Sequence, residues 1–372
     1  MNIGIDARAL TDRKAGIGYY LENALHNILK RDKTNKYFLF SDRKIIFDIG
    51  AYNNVFLIED TKNKVVKKTF WYVLKLPFIV NKMDIDIFWG SQQVLPFFLK
   101  SRIKKIVTIH DLVYIEMPET MNLYNKMICK VMVPYSIKKA DEILSDSMST
   151  KKGIMKYYGV ESKDINLIYC APMTSKFTAE DCETFFSKYL NVVKSKYLLY
   201  VGTIEPRKNI DGLLKAYEKI YEATGLKLVL CGKIGWKCQG ILEQIQNHKY
   251  KDNIVYLNYV SDIDKSVLME NCFAFIFPSH YEGFGIPVVE AMENGAVVVI
   301  SDNSSLSELV EMKELKFTPG NLEELAEKTI NLYKNTELYN DAKQYSSIRA
   351  KDFSWDVITE QYLNTFSKYE NR

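Results

Sequence analysis

A chain of 372 residues with 47% apolar and 26% charged residues has a globular composition and is long enough for two domains, which excludes a fibrous or a disordered protein. The formal net charge of +4 argues against a dedicated nucleic-acid-binding protein, whose surface would be strongly basic. The charge is unevenly distributed, because residues 1–170 contain 27 basic and 18 acidic side chains and residues 171–372 contain 23 and 28.

Short β-branched and apolar runs alternate with longer amphipathic runs, a pattern that is typical of β-α units on a parallel sheet. In the first half, this pattern predicts strands at residues 3–6, 37–41, 55–58, 85–89, 106–109, 142–145 and 166–169. Helices are predicted between these strands at residues 17–30, 122–139 and 149–158.

A second β-α series follows an irregular stretch near residues 171–180. It predicts strands at residues 197–201, 227–231, 254–257, 274–277 and 297–301, and helices near 209–223, 264–271, 287–294 and 322–335. The two series predict two doubly wound α/β domains, over residues 1–172 and 173–352. Ligands of such sheets bind beyond the carboxyl ends of the strands, so we expect functional motifs directly after strands.

The sequence contains six cysteines but no C-x-x-C pair, which argues against a structural zinc site and a disulfide framework. The chain opens on a strand-like run without the charged leader and apolar core of a signal peptide. No apolar run approaches the roughly 20 residues that are needed to span a bilayer. We therefore expect a cytoplasmic protein.

Two glycines, Gly16 and Gly18, follow the first predicted strand and precede a helix. They would let the backbone approach a phosphate or a sugar closely, with the positive end of the helix nearby. A two-glycine turn between a strand and a helix is structural about as often, and this one lacks the full G-x-G-x-x-G dinucleotide pattern.

The first strand of the second series ends in a glycine turn, in the sequence Gly202-Thr-Ile-Glu-Pro-Arg-Lys-Asn209. Arg207 and Lys208 lie directly before the helix that is predicted to begin near Asn209. Two fixed cations at a helix N-terminus suit a diphosphate clamp. The same pair also fits a solvated basic turn.

A third motif, over residues 277–292, joins a strand to a helix through a loop that contains Gly283 and Gly285. Pro287 suits the first turn of that helix, and backbone N–H groups of the loop lie at its positive end. Glu282 and Glu290 lie before and inside the helix, where carboxylates can accept hydrogen bonds from vicinal sugar hydroxyls. The motif is therefore suited to a sugar or a phosphate.

The second and third motifs together resemble those of the retaining glycosyltransferases of the GT-B fold, family four. The G-T-I-E-P-R-K-N variant is similar to the bacterial mannosyltransferase-like branch, which builds lipopolysaccharide O-antigen, capsule and exopolysaccharide. The resemblance covers nearly the whole chain, including the opening I-D-A-R with the A-G-I-G loop, I-H-D-L at 109–112 and A-D-E-I-L-S-D-S at 140–147. It implies two Rossmann-like domains that face a central cleft, an acceptor-binding N-terminal domain and a nucleotide-sugar-binding C-terminal domain. It also implies a C-terminal helix over 353–372 that packs back on the N-terminal domain.

The resemblance implies a role for the residues of these motifs. Glu282 would hold hydroxyls of the donor sugar, and Glu290 would accept hydrogen bonds from the ribose hydroxyls. Arg207 and Lys208 would neutralise the diphosphate leaving group. Many relatives carry an arginine where this chain has Thr203, so most of this neutralisation would come from Arg207. Further donor contacts are expected at Gly16, Gly18, Thr203, Gly232, Lys233, Tyr259, Val260, Gly283, Phe284, Gly285 and Ile286.

His110 directly follows a predicted strand, and the resemblance places it against the donor hexose as a further catalytic residue. A lone histidine also fits a satisfied structural role. Two D-x-D patterns, at residues 84–86 and 262–264, match the metal-diphosphate signature of a different glycosyltransferase fold. The first pattern lies at the start of a strand and the second fits helix caps, so we expect no metal and no other cofactor; the Arg/Lys clamp can replace a cation.

The resemblance implies a retaining hexosyltransferase that moves a sugar, in the first instance mannose from GDP-mannose, onto a lipid-linked or growing cell-surface glycan. The alternative donors are a UDP-hexose and a deoxyhexose nucleotide. The alternative to an enzyme is a non-catalytic subunit that binds a sugar nucleotide. No well-placed base stands out in the sequence, which is consistent with a front-face displacement in which the leaving phosphate takes the acceptor proton.

The basic first half predicts an anionic partner, and two of its segments interleave lysines with apolar side chains. They are residues 67–78 and 121–139. Each segment also fits an amphipathic helix that packs on a sheet. Together they suit an anionic membrane surface, so we expect peripheral docking on the inner face of the cell membrane, where a polyprenyl-diphosphate-linked glycan would be the acceptor.

Overall fold

The computed structural model describes residues 1–11, 16–61, 68–235, 237–238 and 240–370, which form two compact units. The first unit comprises Met1–Cys170 together with Trp355–Arg372, and the second comprises Ala171–Ser354. Each unit is built around a parallel sheet of its own.

The central strands of the first sheet are buried on both faces, because they consist of apolar residues such as Ile3, Ile5, Ile106 and Val107. In chain order the strands are β1 (Asn2–Asp6), β2 (Lys36–Ser41), β3 (Val55–Glu59), β4 (Ile87–Gly90), β5 (Lys104–Ile109), β6 (Glu142–Ser145) and β7 (Ile165–Leu167). They pair in the order β3-β2-β1-β4-β5-β6-β7. The chain therefore changes direction across the sheet between β1 and β4.

Helices connect these strands, and two of them, Leu123–Lys139 and Met148–Tyr158, begin at side-chain caps. They are α1 (Gly16–Arg31), α2 (Lys68–Phe70), α3 (Leu76–Lys82), α4 (Val113–Glu116), α5 (Leu123–Lys139) and α6 (Met148–Tyr158). A π-helical turn, Trp71–Lys75, joins α2 to α3. The Asn122 side chain caps α5 by accepting a hydrogen bond from the Asn125 N–H, and α6 ends at Gly159, whose φ of +66° favours glycine.

The sheet of the second unit repeats this plan with six parallel strands. They are β8 (Tyr197–Val201), β9 (Lys227–Cys231), β10 (Ile254–Tyr256), β11 (Ala274–Phe277), β12 (Val297–Ser301) and β13 (Lys316–Phe317). Their order is β10-β9-β8-β11-β12-β13, so the chain changes direction between β8 and β11.

The helices of the second unit lie before β8, in the connections between its strands and after β13. They are α7 (Ala179–Lys188), α8 (Ile210–Thr224), α9 (Ile241–Gln246), α10 (Asp262–Glu270), α11 (Ile286–Glu293), α12 (Leu306–Leu309), α13 (Leu322–Lys334) and α14 (Thr336–Arg349). A 3₁₀ turn, Pro206–Lys208, directly precedes α8.

The last helix, α15 (Trp355–Ser367), belongs to the first unit and packs against α1. The Tyr362 hydroxyl forms a hydrogen bond with the Tyr20 hydroxyl, and both side chains are buried. The Tyr362 ring also lies 5.1 Å from the Trp89 ring, measured between centroids. These contacts tie the C-terminal end of the chain to the carboxyl edge of the first sheet.

The predicted α/β class with two doubly wound sheets is confirmed. Two local predictions need correction. The strand predicted at 85–89 begins at Ile87, because the Asp86 carboxylate accepts a hydrogen bond from the Asn2 N–H at the amino edge of the sheet. The cap of α10 is Ser261 rather than an aspartate, since the Ser261 hydroxyl accepts the Asp264 N–H at 3.0 Å.

Candidate active site

The candidate site of the second unit lies where its strand order reverses, between β8 and β11. Ligands of doubly wound sheets bind beyond the carboxyl ends of the strands at such a point. The two motifs that the sequence singles out follow these two strands: Pro206–Lys208 comes after β8, and residues 278–285 come after β11. The fold therefore brings both motifs to one place.

Glu282 is the centre of this site and is held by two cations. The Lys208 ammonium lies 2.6 Å from Glu282 Oε1, and a terminal nitrogen of Arg207 lies 2.8 Å from Glu282 Oε2. Burial would raise the pKa of Glu282, but the attraction of Arg207 and Lys208 outweighs it and lowers the pKa to about 2. Glu282 is therefore a buried, ionised acceptor at neutral pH, which suits hydrogen bonds from sugar hydroxyls.

The two cations have further partners that fix their positions. Arg207 pairs with Glu205 at 2.6 Å and donates a hydrogen bond to the Tyr281 carbonyl. Lys208 is buried and its ammonium lies 5.1 Å from the centroid of the Phe277 ring. Burial and the neighbouring Arg207 lower the pKa of Lys208 against the attraction of Glu282. The predicted cation pair is thus in place, and its charge is balanced by two carboxylates.

The loop that carries Glu282 rests on the loop after β12. The Ser304 hydroxyl accepts a hydrogen bond from the Glu282 N–H, and the Ser305 hydroxyl lies 2.7 Å from the Phe284 carbonyl oxygen. Gly285 has a φ of +110°, and a Cβ there would approach Leu306 to 2.8 Å, so only glycine fits this position. This support fixes the turn from Gly283 into α11 at Ile286.

Glu290 lies inside α11 and forms a buried ion pair that the sequence patterns do not predict. The Lys265 ammonium, from α10, lies 2.8 Å from Glu290 Oε1 and 3.6 Å from an Asp262 oxygen. Burial raises the pKa of Glu290, and Lys265 opposes that effect. Lys265 and the Met173 backbone both contact this carboxylate, whose oxygens can also accept a hydrogen bond from a ribose hydroxyl.

The other predicted donor contacts of the second unit lie along the carboxyl edge of β8 to β10. The Lys233 ammonium lies 5.1 Å from the centroid of the exposed Tyr259 ring, whereas Val260 is buried and Thr203 is exposed. Gly232 has a packing reason of its own, because a Cβ there would lie 2.0 Å from the Gly202 carbonyl oxygen. The glycine is therefore required by the approach of two backbones, whether or not a donor binds beside it.

The predicted residues of the first unit are Gly16, Gly18 and His110. Gly16 begins α1, and no described residue outside its chain neighbours and its own helix backbone comes within 4 Å of the position that a Cβ would take. Gly18 is buried, and residues 12–15 of the preceding loop lie outside the described residues. His110 follows β5 and is buried.

His110 has hydrogen-bond partners on both ring nitrogens. Nδ1 contacts an Asp146 carboxylate oxygen, and Nε2 lies 2.8 Å from the Ser91 carbonyl oxygen. Both partners accept hydrogen bonds, so the doubly protonated ring satisfies them. Burial lowers the pKa of His110, but Asp146 outweighs it and the net shift is upward. This geometry favours the structural alternative over the predicted contact with the donor hexose, because neither ring nitrogen has a position left for a sugar hydroxyl.

Sequence reasoning missed several residues of these sites. Glu205 lies within the predicted motif, and its spacing from Arg207 was a usable signal. Lys265, Asp146, Ser304 and Ser305 come from separate elements and reach their partners through the tertiary fold, so no local pattern links them.

Comparison with known proteins connects these sites to a family. The family model of glycosyl transferases group 1 matches residues 181–349, which contain the motifs of the second unit. The chain is 30% identical to O-antigen chain mannosyltransferase B of Escherichia coli, over 73% of this chain and 72% of that protein. It is 25% identical to O-antigen chain mannosyltransferase RfbU of Salmonella typhimurium, over 65% of this chain and 64% of that protein.

A solved structure supports the same assignment at the level of the fold. HepE of Anabaena, in complex with UDP-glucose, matches with a TM-score of 0.76 and 18% identity, over 99% of each chain. Within the described residues, none of the helices combines the length and the apolar character that crossing a bilayer requires. The chain belongs to the group 1 glycosyl transferases of the GT-B fold and is a glycosyltransferase.

Proposed function

We propose that this protein is a retaining hexosyltransferase that moves mannose from GDP-mannose to a lipid-linked or growing cell-surface glycan such as O-antigen, capsule or exopolysaccharide. The observation that carries the proposal is Glu282, ionised and buried between Arg207 and Lys208 at the carboxyl edge of β8 and β11. The mannose and O-antigen assignments are supported by the names of the two relatives described above.

Each charged group of the second unit has a role in this reaction. Glu282 accepts hydrogen bonds from hydroxyls of the donor sugar, and Glu290 accepts them from the ribose. Arg207 and Lys208 stabilise the diphosphate electrostatically, because negative charge grows there as the bond to the sugar breaks. We propose that these two cations replace a metal ion in this role.

The transfer itself proceeds by front-face displacement. The bond between the anomeric carbon and the β-phosphate oxygen breaks, and the acceptor hydroxyl oxygen forms its bond to the same face of that carbon. The acceptor proton passes to the departing phosphate oxygen, so the protein need not supply a separate base. The anomeric configuration of the donor is therefore retained.

A UDP-hexose is the second candidate donor. It is favoured by HepE, which has the same fold and was solved with UDP-glucose. The charged groups at the site of the second unit suit a diphosphate and vicinal hydroxyls. Every nucleotide sugar offers both, so these groups do not select a base.

We further propose that the protein works as a peripheral protein at the inner face of the cell membrane. The excess of basic residues in the first half supports contact with an anionic surface. A glycan linked to polyprenyl diphosphate is the acceptor class that is presented there.

A donor screen tests the proposal. Purified protein is incubated with GDP-mannose, UDP-glucose, UDP-galactose and a dTDP-deoxyhexose, and release of the nucleoside diphosphate is measured with a Glu282→Gln control. We expect release from GDP-mannose by the wild type alone, and an α-configured product by NMR if an acceptor is supplied. Release from none of the donors, or equal release by the variant, would overturn the proposal.

A further inference from the structure

Helix α5 exposes apolar side chains on the face that turns away from the sheet. Leu123 is 78% exposed, Met127 62% and Val131 59%, and their spacing of four residues places them on one side of the helix. The opposite side packs into the core through residues such as Met132 and Val133. A helix that is apolar on both sides needs a second apolar environment, and this outer side has no cover within the described residues.

The segment Lys68–Lys82 repeats the arrangement. Phe70, Leu74 and Phe78 are spaced by four residues and are exposed by 58%, 45% and 66%, while Trp71 and Leu76 are buried beneath them. Two of these three exposed side chains, Phe70 and Phe78, are aromatic. Aromatic side chains in a row are uncommon on a face that contacts only water.

Contacts at both ends place these two helical segments side by side. At the start of both, the Thr69 hydroxyl lies 2.8 Å from the Tyr124 hydroxyl. At the far end, Asn81 donates a hydrogen bond to the carbonyl of the exposed Phe98, and the neighbouring Phe97 packs edge-on against Tyr135 of α5. The exposed side chains therefore form one continuous apolar face, made of Phe70, Leu74, Phe78, Phe98, Leu123, Met127 and Val131.

The two helical segments that carry the apolar face bear charge of a single sign. Lys68–Lys82 and Leu123–Lys139 together contain seven lysines and no aspartate or glutamate. Lys130, Lys138 and Lys139 are exposed on α5, whereas Lys75 is paired with Asp60. An apolar stripe on lysine-rich segments that contain no acidic residue matches the boundary between anionic headgroups and acyl chains. A symmetric contact between two copies would instead set lysines against lysines.

We propose that the apolar face is a membrane-insertion surface that binds anionic phospholipid bilayers, with its apolar side chains among the acyl chains and its lysines at the headgroups. This proposal names the surface for the membrane contact that the proposed function includes, and it rests on the proposed function for its cellular setting. Helix α5 begins at the carboxyl edge of the first sheet, after β5 and α4, so Leu123 and Tyr124 bring that edge close to the lipid. A lipid-linked acceptor would then reach this edge of the first unit without leaving the bilayer.

Vesicle flotation tests this surface. The full chain is mixed with vesicles of phosphatidylcholine alone, or with vesicles that also contain about 30 mol% of the anionic lipid phosphatidylglycerol. We expect binding to the anionic vesicles only, with a fraction that persists at high salt because apolar insertion is not screened. The variant Phe78→Ser/Leu123→Ser/Met127→Ser should lose the salt-resistant fraction, and Lys130→Gln/Lys138→Gln/Lys139→Gln should weaken low-salt binding by roughly 100-fold.

Matched controls lie in the second unit. Leu190→Ser/Val193→Ser removes apolar side chains that are 80% and 52% exposed, and Lys215→Gln/Lys334→Gln/Lys351→Gln removes three exposed lysines. We expect both controls to bind as the wild type does. Wild-type protein that ignores anionic vesicles, or apolar-face variants that bind like the controls, would overturn the proposal.

Two further readouts separate the possible failures. If the wild type is a dimer in analytical ultracentrifugation and the apolar-face variant is a monomer, a second copy covers this face and the proposal is wrong. Donor cleavage by the same variants in detergent-free solution should equal that of the wild type. Vesicle binding without cleavage of any donor would leave the surface intact and overturn the proposed function alone.

Discussion

Lys265 and Glu290 form a buried ion pair between α10 and α11, with the ammonium nitrogen 2.8 Å from one carboxylate oxygen. Burial raises the pKa of Glu290, and Lys265 is the cation that opposes this shift. The lysine therefore opposes the effect of burial on this carboxylate and fixes its rotation. In the proposed function Lys265 is a positioning residue, because it acts on the ribose through Glu290.

Replacing this lysine should weaken nucleotide binding. We expect Lys265→Met to raise the KM for the donor by about tenfold or more, with a smaller change in kcat, because the ribose hydroxyls lose an oriented acceptor. Unpairing a buried ion costs roughly 3–5 kcal/mol, so Lys265→Met/Glu290→Gln is made in parallel to restore folding without restoring affinity.

The matched control is Lys219→Met, which removes a lysine that pairs with Glu323 at the surface. Calorimetry with GDP and with 2′,3′-dideoxy-GDP gives the specific readout. The wild type should prefer the ribonucleotide and Lys265→Met should not. An unchanged preference would contradict the role of Lys265.

Binding and transfer should separate in the variants of the central cluster. Glu282→Gln removes the carboxylate that occupies Lys208 and Arg207, so we expect it to bind free GDP at least as tightly as the wild type and to transfer no sugar. Lys208→Met should lose both, because one diphosphate partner is gone. Titration calorimetry with GDP measures the difference; weaker binding by Glu282→Gln than by Lys208→Met would contradict this division of roles.

Glu282 should also make the protein sensitive to acid. Its pKa is lowered from 4.5 to about 2 in the folded protein, so its stabilising contribution is complete above about pH 4.5 and is lost as the pH falls toward 2. The shift corresponds to about 3 kcal/mol. Urea unfolding between pH 7 and pH 3 should show a shallower decline for Glu282→Gln than for the wild type, and parallel declines would count against the buried pair.

His110 should give stability the opposite pH dependence. Its pKa is raised above 6.5 in the folded protein, so the Asp146 pair stabilises the fold fully below about pH 6.5 and less as the pH rises through the raised pKa. We expect urea unfolding to show the wild type losing stability as the pH rises above about 6.5, and His110→Asn losing none.

The enzymatic readout distinguishes a structural from a catalytic histidine. Donor cleavage by His110→Asn, measured at a temperature where the variant is folded, should stay within about tenfold of the wild type, since nothing in the proposed transfer passes through the ring. A loss as large as that of Glu282→Gln, with the fold intact by circular dichroism, would return His110 to the catalytic residues.

Much of this fold was predictable because its strands are buried on both faces. Runs such as Tyr197–Val201 and Val297–Ser301 are uniformly apolar and are bounded by turn residues, so their positions follow from composition alone. β13 was missed because two residues cannot form a pattern, and the π-helical turn Trp71–Lys75 disrupts the helical period of its segment.

The residues of the candidate site also differ in how well the sequence predicts them. Glu282, Arg207 and Lys208 were predictable because each lies directly after a strand at the reversal of the sheet order. The partners that set their charge states were not, because Lys265 approaches Glu290 and Asp146 approaches His110 only through the packing of separate elements. Sequence therefore indicated which charged groups the fold brings together at the candidate site, and the structure supplied what holds those groups in place.

The most direct test of the central claim is the rate of GDP-mannose cleavage by the purified chain, compared between the wild type, Glu282→Gln and the surface control Lys219→Met. The account predicts measurable cleavage by the wild type and by Lys219→Met, and a rate at least about 1,000-fold lower for Glu282→Gln with GDP binding retained. Equal rates for the wild type and Glu282→Gln would contradict the assignment of the active site.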